Sequence, residues 1–216
     1  MIFDFALGQQ FDQTRFLLEL LYAFIVVCLF SYAYYLVHKA HALTQHKGLY
    51  YLKQAFLFFI LTYASRIIFH LTRLFLSFTE LHIPGRVFSQ VSLIVLSFLG
   101  LIAIIYLFYS QNYRRYKFTT VLFLTMILFT IIITIFLFTN NWWLFVLAQL
   151  IVLIALFFSS KKTIRYLYSL ISVFWLTNII IFISRRSLEI DLRITLQLLS
   201  LVILVLFLFR MRRWLQ

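Results

Sequence analysis

Residues that break helices are nearly missing from this 216-residue chain, which has one proline and four glycines. In a helix interior Pro and Gly cost about 3 and about 1 kcal/mol relative to Ala, so their scarcity leaves long helices uninterrupted. Cysteine is down to a single residue, Cys28, which excludes an internal disulfide. It lies in an apolar run and reads as a small hydrophobe. Acids are scarce as well: six Asp and Glu stand against nineteen Lys and Arg, a formal net charge of +13. Charged residues of both signs make up only 12% of the chain, about half the share usual in a soluble domain.

Apolar residues fill the space these absences leave. They are 64% of the chain, and the mean hydropathy is +1.02. They come in continuous runs of roughly 20, the length that crosses a ~30 Å hydrocarbon core as a helix. Strands of a membrane β-barrel would alternate polar and apolar residues instead, so that architecture is excluded. Seven runs cover residues 16–38, 53–78, 90–110, 118–139, 142–160, 165–184 and 193–210. The expectation is an all-α integral membrane bundle of seven transmembrane helices, joined by short connections into one domain.

In a soluble protein the positive charge would point to nucleic acid. Its distribution here excludes that partner. Lys39, Lys47 and Lys53, Arg114, Arg115 and Lys117, Lys161, Lys162 and Arg165, and Arg210, Arg212 and Arg213 all fall on one side of the predicted bundle, with no acid among them. Asp4, Asp12, Glu80, Glu189 and Asp191 fall on the other side, with Glu19 just inside the outer end of span one. Lys and Arg mark the cytoplasmic side. The N-terminus is therefore expected outside and the C-terminus in the cytoplasm, in a multi-pass protein of the cell (inner or plasma) membrane whose basic loops meet anionic lipid headgroups. Eleven of the thirteen tyrosines lie near the predicted inner ends, an aromatic belt at headgroup level, and Trp142 and Trp143 mark the outer side. The richness in Phe, Ile and Tyr, together with short tails, suggests a prokaryotic membrane.

One run breaks the pattern. "YASRIIFHLTR", residues 63–73, places two arginines and a histidine where lipid is expected. Arg66 is near the middle of span two, about 15 Å from the outer boundary, which is beyond the reach of a snorkelling side chain. At that depth it costs roughly 2.5–3.5 kcal/mol on insertion scales, so the bundle must offer partners. Tyr63, Arg66, His70, Arg73 and Ser77 recur at helical spacing and form one stripe, with Phe58, Ile60, Ile67 and Ile68 expected to face lipid. Glu19 is the one acid within a span, expected level with Arg73 and His70. Neutral partners are Gln149 on span five, Trp175, Thr177 and Asn178 on span six, and Gln197 and Ser200 on span seven. Thr125, Thr130 and Thr134 on span four could add hydroxyls to this set, although threonine often bonds its own helix. Together these residues predict an outward-facing polar pocket with Glu19 at its mouth.

Other motifs carry less. "HKAHALTQH" sets His38, His41 and His46 in an expected inner loop. Three histidines without a cysteine are a weak set for zinc or nickel, so no metal and no cofactor is expected. No HExxH, GxSxG or phosphate-binding loop occurs, and no pair of carboxylates sits at mid-depth, so an enzyme is not expected. Arg185, Arg186, Glu189, Asp191 and Arg193 read as a charge-balanced outer loop. "SFTELHIPGRVFSQ" (77–90) is the longest outer connection, with a turn at Pro84-Gly85.

The layout resembles the seven-helix sensor regions that precede histidine kinases and other signalling domains. Only "RMRRWLQ" follows span seven, so a signal would pass to a separate membrane or cytoplasmic partner. Span seven, "ITLQLLSLVILVLFLF", lacks the lysine a retinal pigment needs. The expected function is a sensor of receptor-like type. The alternatives are a small-solute transporter using the same stripe, or a non-catalytic scaffold subunit whose Arg66 pairs with an acid on another chain.

Overall fold

The computed structural model describes residues 13–78, 85–114, 117–139, 143–159, 162–183 and 190–215. They form seven helices: α1 (Gln13–Thr44), α2 (Lys47–Phe78), α3 (Gly85–Asn112), α4 (Phe118–Thr139), α5 (Trp143–Ser159), α6 (Lys162–Ile183) and α7 (Ile190–Leu215). The fold is an all-α bundle, and each helix contains or closely matches one apolar run. Among the described residues α1, α2, α3 and α7 carry stretches long and apolar enough to cross a bilayer, while those of α4, α5 and α6 are shorter.

The connection between α1 and α2 departs from expectation. The apolar runs end at 38 and resume at 53, yet α1 continues to Thr44 and α2 begins at Lys47, so the connection is Gln45 and His46 alone. An apolar run measures contact with lipid, whereas His, Lys, Ala and Gln extend a helix at little cost. Gln45 takes the left-handed conformation (φ 50°) that ends many helices, and its N–H donates to the His41 carbonyl at 2.7 Å. His46 then caps α2, its Nδ1 accepting the Gly48 N–H at 3.1 Å.

Six helices close into a ring in the order α1, α2, α3, α5, α6 and α7, with α7 returning to α1; α4 lies outside, against α3 and α5. Aromatic residues fill the interior. Phe30 stacks on Phe59 (centroids 4.8 Å apart, planes at 11°) and meets Phe174 edge-on at 5.5 Å. Phe56 meets Phe207 at 5.8 Å, and Phe59 meets Trp175 at 5.1 Å. Each such pair adds about 0.5–1.5 kcal/mol beyond its buried area. Trp175 fits because α3 presents Gly100 beneath it, where a Cβ would stand 2.5 Å from the indole Cζ2. A smaller cluster that includes Leu101, Ile105, Phe129, Phe136 and Phe145 seats α4.

The outer surface is apolar. On α2 the outward stripe is Leu61, Ile68, Leu71 and Phe75. Of the four residues expected there, only Ile68 is exposed. Phe58, Ile60 and Ile67 pack against the core, Phe58 stacking on Tyr106 at 5.2 Å. Neighbours on both sides, α1 and α3, leave α2 a narrower outward face than a hydropathy pattern implies.

Candidate functional site

Glu19 on α1 is 3% exposed and is the centre of a charge cluster. Its Oε2 lies 3.1 Å from Nε2 of His70 and 3.9 Å from Nη2 of Arg66, both on α2. Its Oε1 pairs with Nη2 of Arg193 on α7. Arg193 is itself buried, and the edge of Phe16 covers His70 with ring centroids 6.0 Å apart. A buried carboxylate survives when cations and hydrogen bonds replace its water, and this one has contacts on both oxygens. Among the described residues Arg66 and Arg193 carry two positive charges against the one negative charge of Glu19, so this set is net positive even with His70 neutral.

Tyr22 stands one turn from Glu19 on α1 and ties three helices. Its hydroxyl donates to Asn178 Oδ1 on α6 at 2.7 Å and shares a 2.7 Å hydrogen bond with Ser200 Oγ on α7. Asn178 Nδ2 in turn donates to the Phe174 carbonyl at 2.9 Å. Gln197 is buried one turn inward of Arg193, and its Nε2 has no hydrogen-bond partner among the described residues.

Beside this cluster a half-open cleft of about 610 Å³, mouth included, lies between α2, α3, α5 and α6. Thr62, Tyr63 and Arg66 form its α2 wall. Ser97, Gln149 and Asn178 supply the remaining polar positions, and apolar residues such as Leu93, Leu96 and Phe145 form most of the rest. Gln149 accepts the Trp175 indole N–H at 3.0 Å, which leaves its NH2 to donate. The guanidinium of Arg66 lies over the Tyr22 ring at 5.9 Å. Its 3.9 Å separation from Glu19 is too long for a hydrogen bond. The oxygens of Glu19 are engaged more closely by His70 and Arg193, so Arg66 is the cation of the cluster most available to the cleft.

The structure therefore brings together most of the stripe and its expected partners. Glu19 and His70 are in the cluster, Tyr63, Gln149 and Asn178 line the cleft, and Arg66 belongs to both. Gln197 is on the neighbouring turn of α7. Glu19 meets Arg66 and His70, whereas Arg73, expected level with it, is exposed nearly one turn beyond His70. Arg193 is a correction to the reading of residues 185–193 as a charge-balanced loop. It is on α7, turned inward, because Arg193, Gln197, Ser200 and Leu204 follow helical spacing and share the buried face. Arg185, Arg186, Glu189 and Pro84 lie outside the described residues. Thr130 and Thr134 are exposed and donate to carbonyls of their own helix, at 2.9 Å each.

The three histidines around the α1–α2 connection are not gathered. His38 stacks on Tyr34, His41 meets the edge of Tyr50, and His46 Nε2 lies 3.2 Å from the Tyr113 hydroxyl. His38 and His41 are on α1 and not in a loop. Among the described residues no group of three or more His, Cys, Asp or Glu side chains is placed to hold a metal.

No protein-family model, curated protein or solved structure matches this chain. Its chemistry has to be read from its own geometry.

Proposed function

We propose that this protein is a receptor-like sensor with all seven helices in the cell membrane, the N-terminus outside and the C-terminus in the cytoplasm. It binds a small anionic ligand from the outer side at Arg66 and signals through a separate partner. The observation that carries this reading is the division of labour around Glu19. His70 and Arg193 hold the carboxylate, and Arg66 is left at the wall of a cleft with net positive charge behind it. Basic groups at the other end of the bundle, among them Lys39, Lys47, Lys53, Arg210, Arg212 and Arg213, suit anionic lipid headgroups or an acidic partner surface.

Two features favour sensing over transport. The described helices are continuous, whereas many carriers bind their substrate at broken helices. The ring interior inward of the cluster is packed with Phe30, Phe56, Phe59, Phe174 and Phe207, so passage would require that stack to come apart. Binding at the outer end can instead act by shifting α2 against α1 and α7, since Glu19 couples all three.

The test is native mass spectrometry of the wild type and Arg66→Gln, each released gently from the membrane, beside anion uptake into proteoliposomes. A bound anion lost in the variant, without uptake, is expected. Uptake that depends on Arg66 would replace the sensor with a transporter. A stoichiometric protein partner lost in Arg66→Gln, with no ligand, would make the chain a scaffold subunit.

A further inference from the structure

We infer that the cleft between α2, α3, α5 and α6 takes an anionic amphiphile, a single oxyanion headgroup carrying an alkyl chain, with the headgroup on Arg66 and the chain against α3, α5 and α6. This deepens the sensor reading and rests on its assignment of Arg66 as the anion site.

Three observations select this class. The first is charge. Among the described residues Arg66 and Arg193 against Glu19 leave one positive charge in excess, and an oxyanion at Arg66 meets it without displacing Glu19 from His70 or Arg193. The second is donor geometry. Arg66 makes no hydrogen bond to Glu19 at 3.9 Å, so its planar fork can bind a carboxylate or phosphate in two-pronged fashion. Gln149 adds an amide NH2 at the opposite wall. The third is the apolar surface beyond those donors. Leu93 and Leu96 of α3, Phe145 and Val146 of α5, and Ile179 of α6 line most of the cleft. A hydrated inorganic anion would shed water against these side chains and gain nothing from them. An alkyl chain gains apolar burial along the same surface.

Depth agrees. Arg66 is twelve residues before the end of α2, about 18 Å along the axis. A lipid-like molecule at the outer half of the bundle can reach that level with its headgroup, provided the buried charge is met there. The cationic fork supplies that meeting point.

Trp175 lines the cleft and provides the reporter. Trp142, Trp143 and Trp214 are replaced by Phe, leaving Trp175 as the sole tryptophan in the full chain in dodecyl maltoside. The probes are 12-bromododecanoate and 12-bromododecanol, whose bromine quenches indole emission at contact. Saturable quenching is expected, with the carboxylate bound at least about tenfold more tightly than the alcohol, the value of one charge-assisted hydrogen bond. Arg66→Gln should remove that preference. Leu96→Phe narrows the cleft without touching any charge and should weaken both probes together, which keeps the idea falsifiable if Arg66→Gln does not fold. Dodecyl phosphate and dodecanoate, added as competitors, separate a phosphate from a carboxylate headgroup.

Equal affinity for acid and alcohol, or quenching that never saturates, would overturn the inference. So would displacement of bromododecanoate by inorganic phosphate or acetate as efficiently as by dodecanoate. That last result would leave the small-anion sensor standing while removing the amphiphile. Conversely, Arg66-dependent acid preference in a protein that also shows uptake would keep this site and discard the sensor.

Discussion

Replacing Glu19 with Gln removes one charge and little volume, and the geometry around it sets the expected cost. The carboxylate is 3% exposed and has contacts to His70 at 3.1 Å, to Arg193 and to Arg66 at 3.9 Å. Breaking a buried pair from one side costs about 3–5 kcal/mol, because the other charge is left in a poorly solvated site. Gln keeps one acceptor oxygen for His70 or Arg193, which places Glu19→Gln near the lower end, at about 3 kcal/mol. Arg193→Met should cost a similar amount, for it removes the Arg193 contact from Oε1 and leaves Glu19 buried, with His70 and the longer contact to Arg66 on Oε2. Arg66→Gln should cost about 1 kcal/mol or less, since its contact is longer and its side chain is 15% exposed. The double variant Glu19→Leu/Arg193→Met removes both charges together, and an apolar replacement of a buried pair is often neutral or stabilising. It should therefore recover most of the loss. The measurement is equilibrium unfolding in mixed dodecyl maltoside and dodecyl sulfate, followed by far-ultraviolet circular dichroism. A Glu19→Gln protein within about 0.5 kcal/mol of wild type, or a double variant as unstable as the sum of the Glu19→Leu and Arg193→Met singles, would refute the reasoning, because either result means that Glu19 and Arg193 are not an energetically coupled buried pair.

Further outcomes follow from other parts of the ring. Gly100→Ala sets a Cβ 2.5 Å from Trp175 Cζ2, so the indole must move; the expected loss is about 1–3 kcal/mol together with a shift in Trp175 emission. Gln45→Gly relieves a left-handed residue at φ 50° and should be neutral or stabilising by up to about 1 kcal/mol, whereas Gln45→Val should destabilise by more than about 1 kcal/mol; thermal melts of the three proteins check the order. In a Cys28→Ser background, a membrane-impermeant maleimide should label Trp143→Cys in intact cells and Lys117→Cys only after permeabilisation. The opposite pattern would reverse the proposed orientation.

Much of this was legible from residues that disagree with their surroundings. Arg66, His70 and Glu19 stood out because charge in an apolar run needs a partner, and these three do meet. Tyr22 was overlooked, although Tyr22 and Tyr63 are the two tyrosines that fall outside the inner aromatic belt, and both stand at the site. Arg193 was hidden by company: with Arg185, Arg186, Glu189 and Asp191 nearby it looked solvated. The signal that would have found it is the spacing of Arg193, Gln197 and Ser200, a polar stripe on a stretch, 193–209, that is otherwise Leu, Val, Ile and Phe apart from Thr195. The cleft was not legible beyond its polar residues. It depends on how far α3 and α5 stand from α2 and α6, and on the close seat of Trp175 over Gly100, both of which are properties of packing. The short α1–α2 connection escaped for a different reason, since nothing in hydropathy marks where a helix ends after it has left the lipid.

The pairing of Glu19 with Arg193 joins the first of the seven helices to the last. During synthesis α1 and α2 are made in direct succession, linked by two residues, so Glu19 can meet His70 and Arg66 before Arg193 is made. The Arg193 countercharge arrives with α7, the last of the described helices. Shutting the ring and completing the contacts of the buried acid are then the same event. A chain that stops short of α7 lacks the Arg193 contact to the buried acid, which is a chemical difference between an unfinished bundle and a finished one.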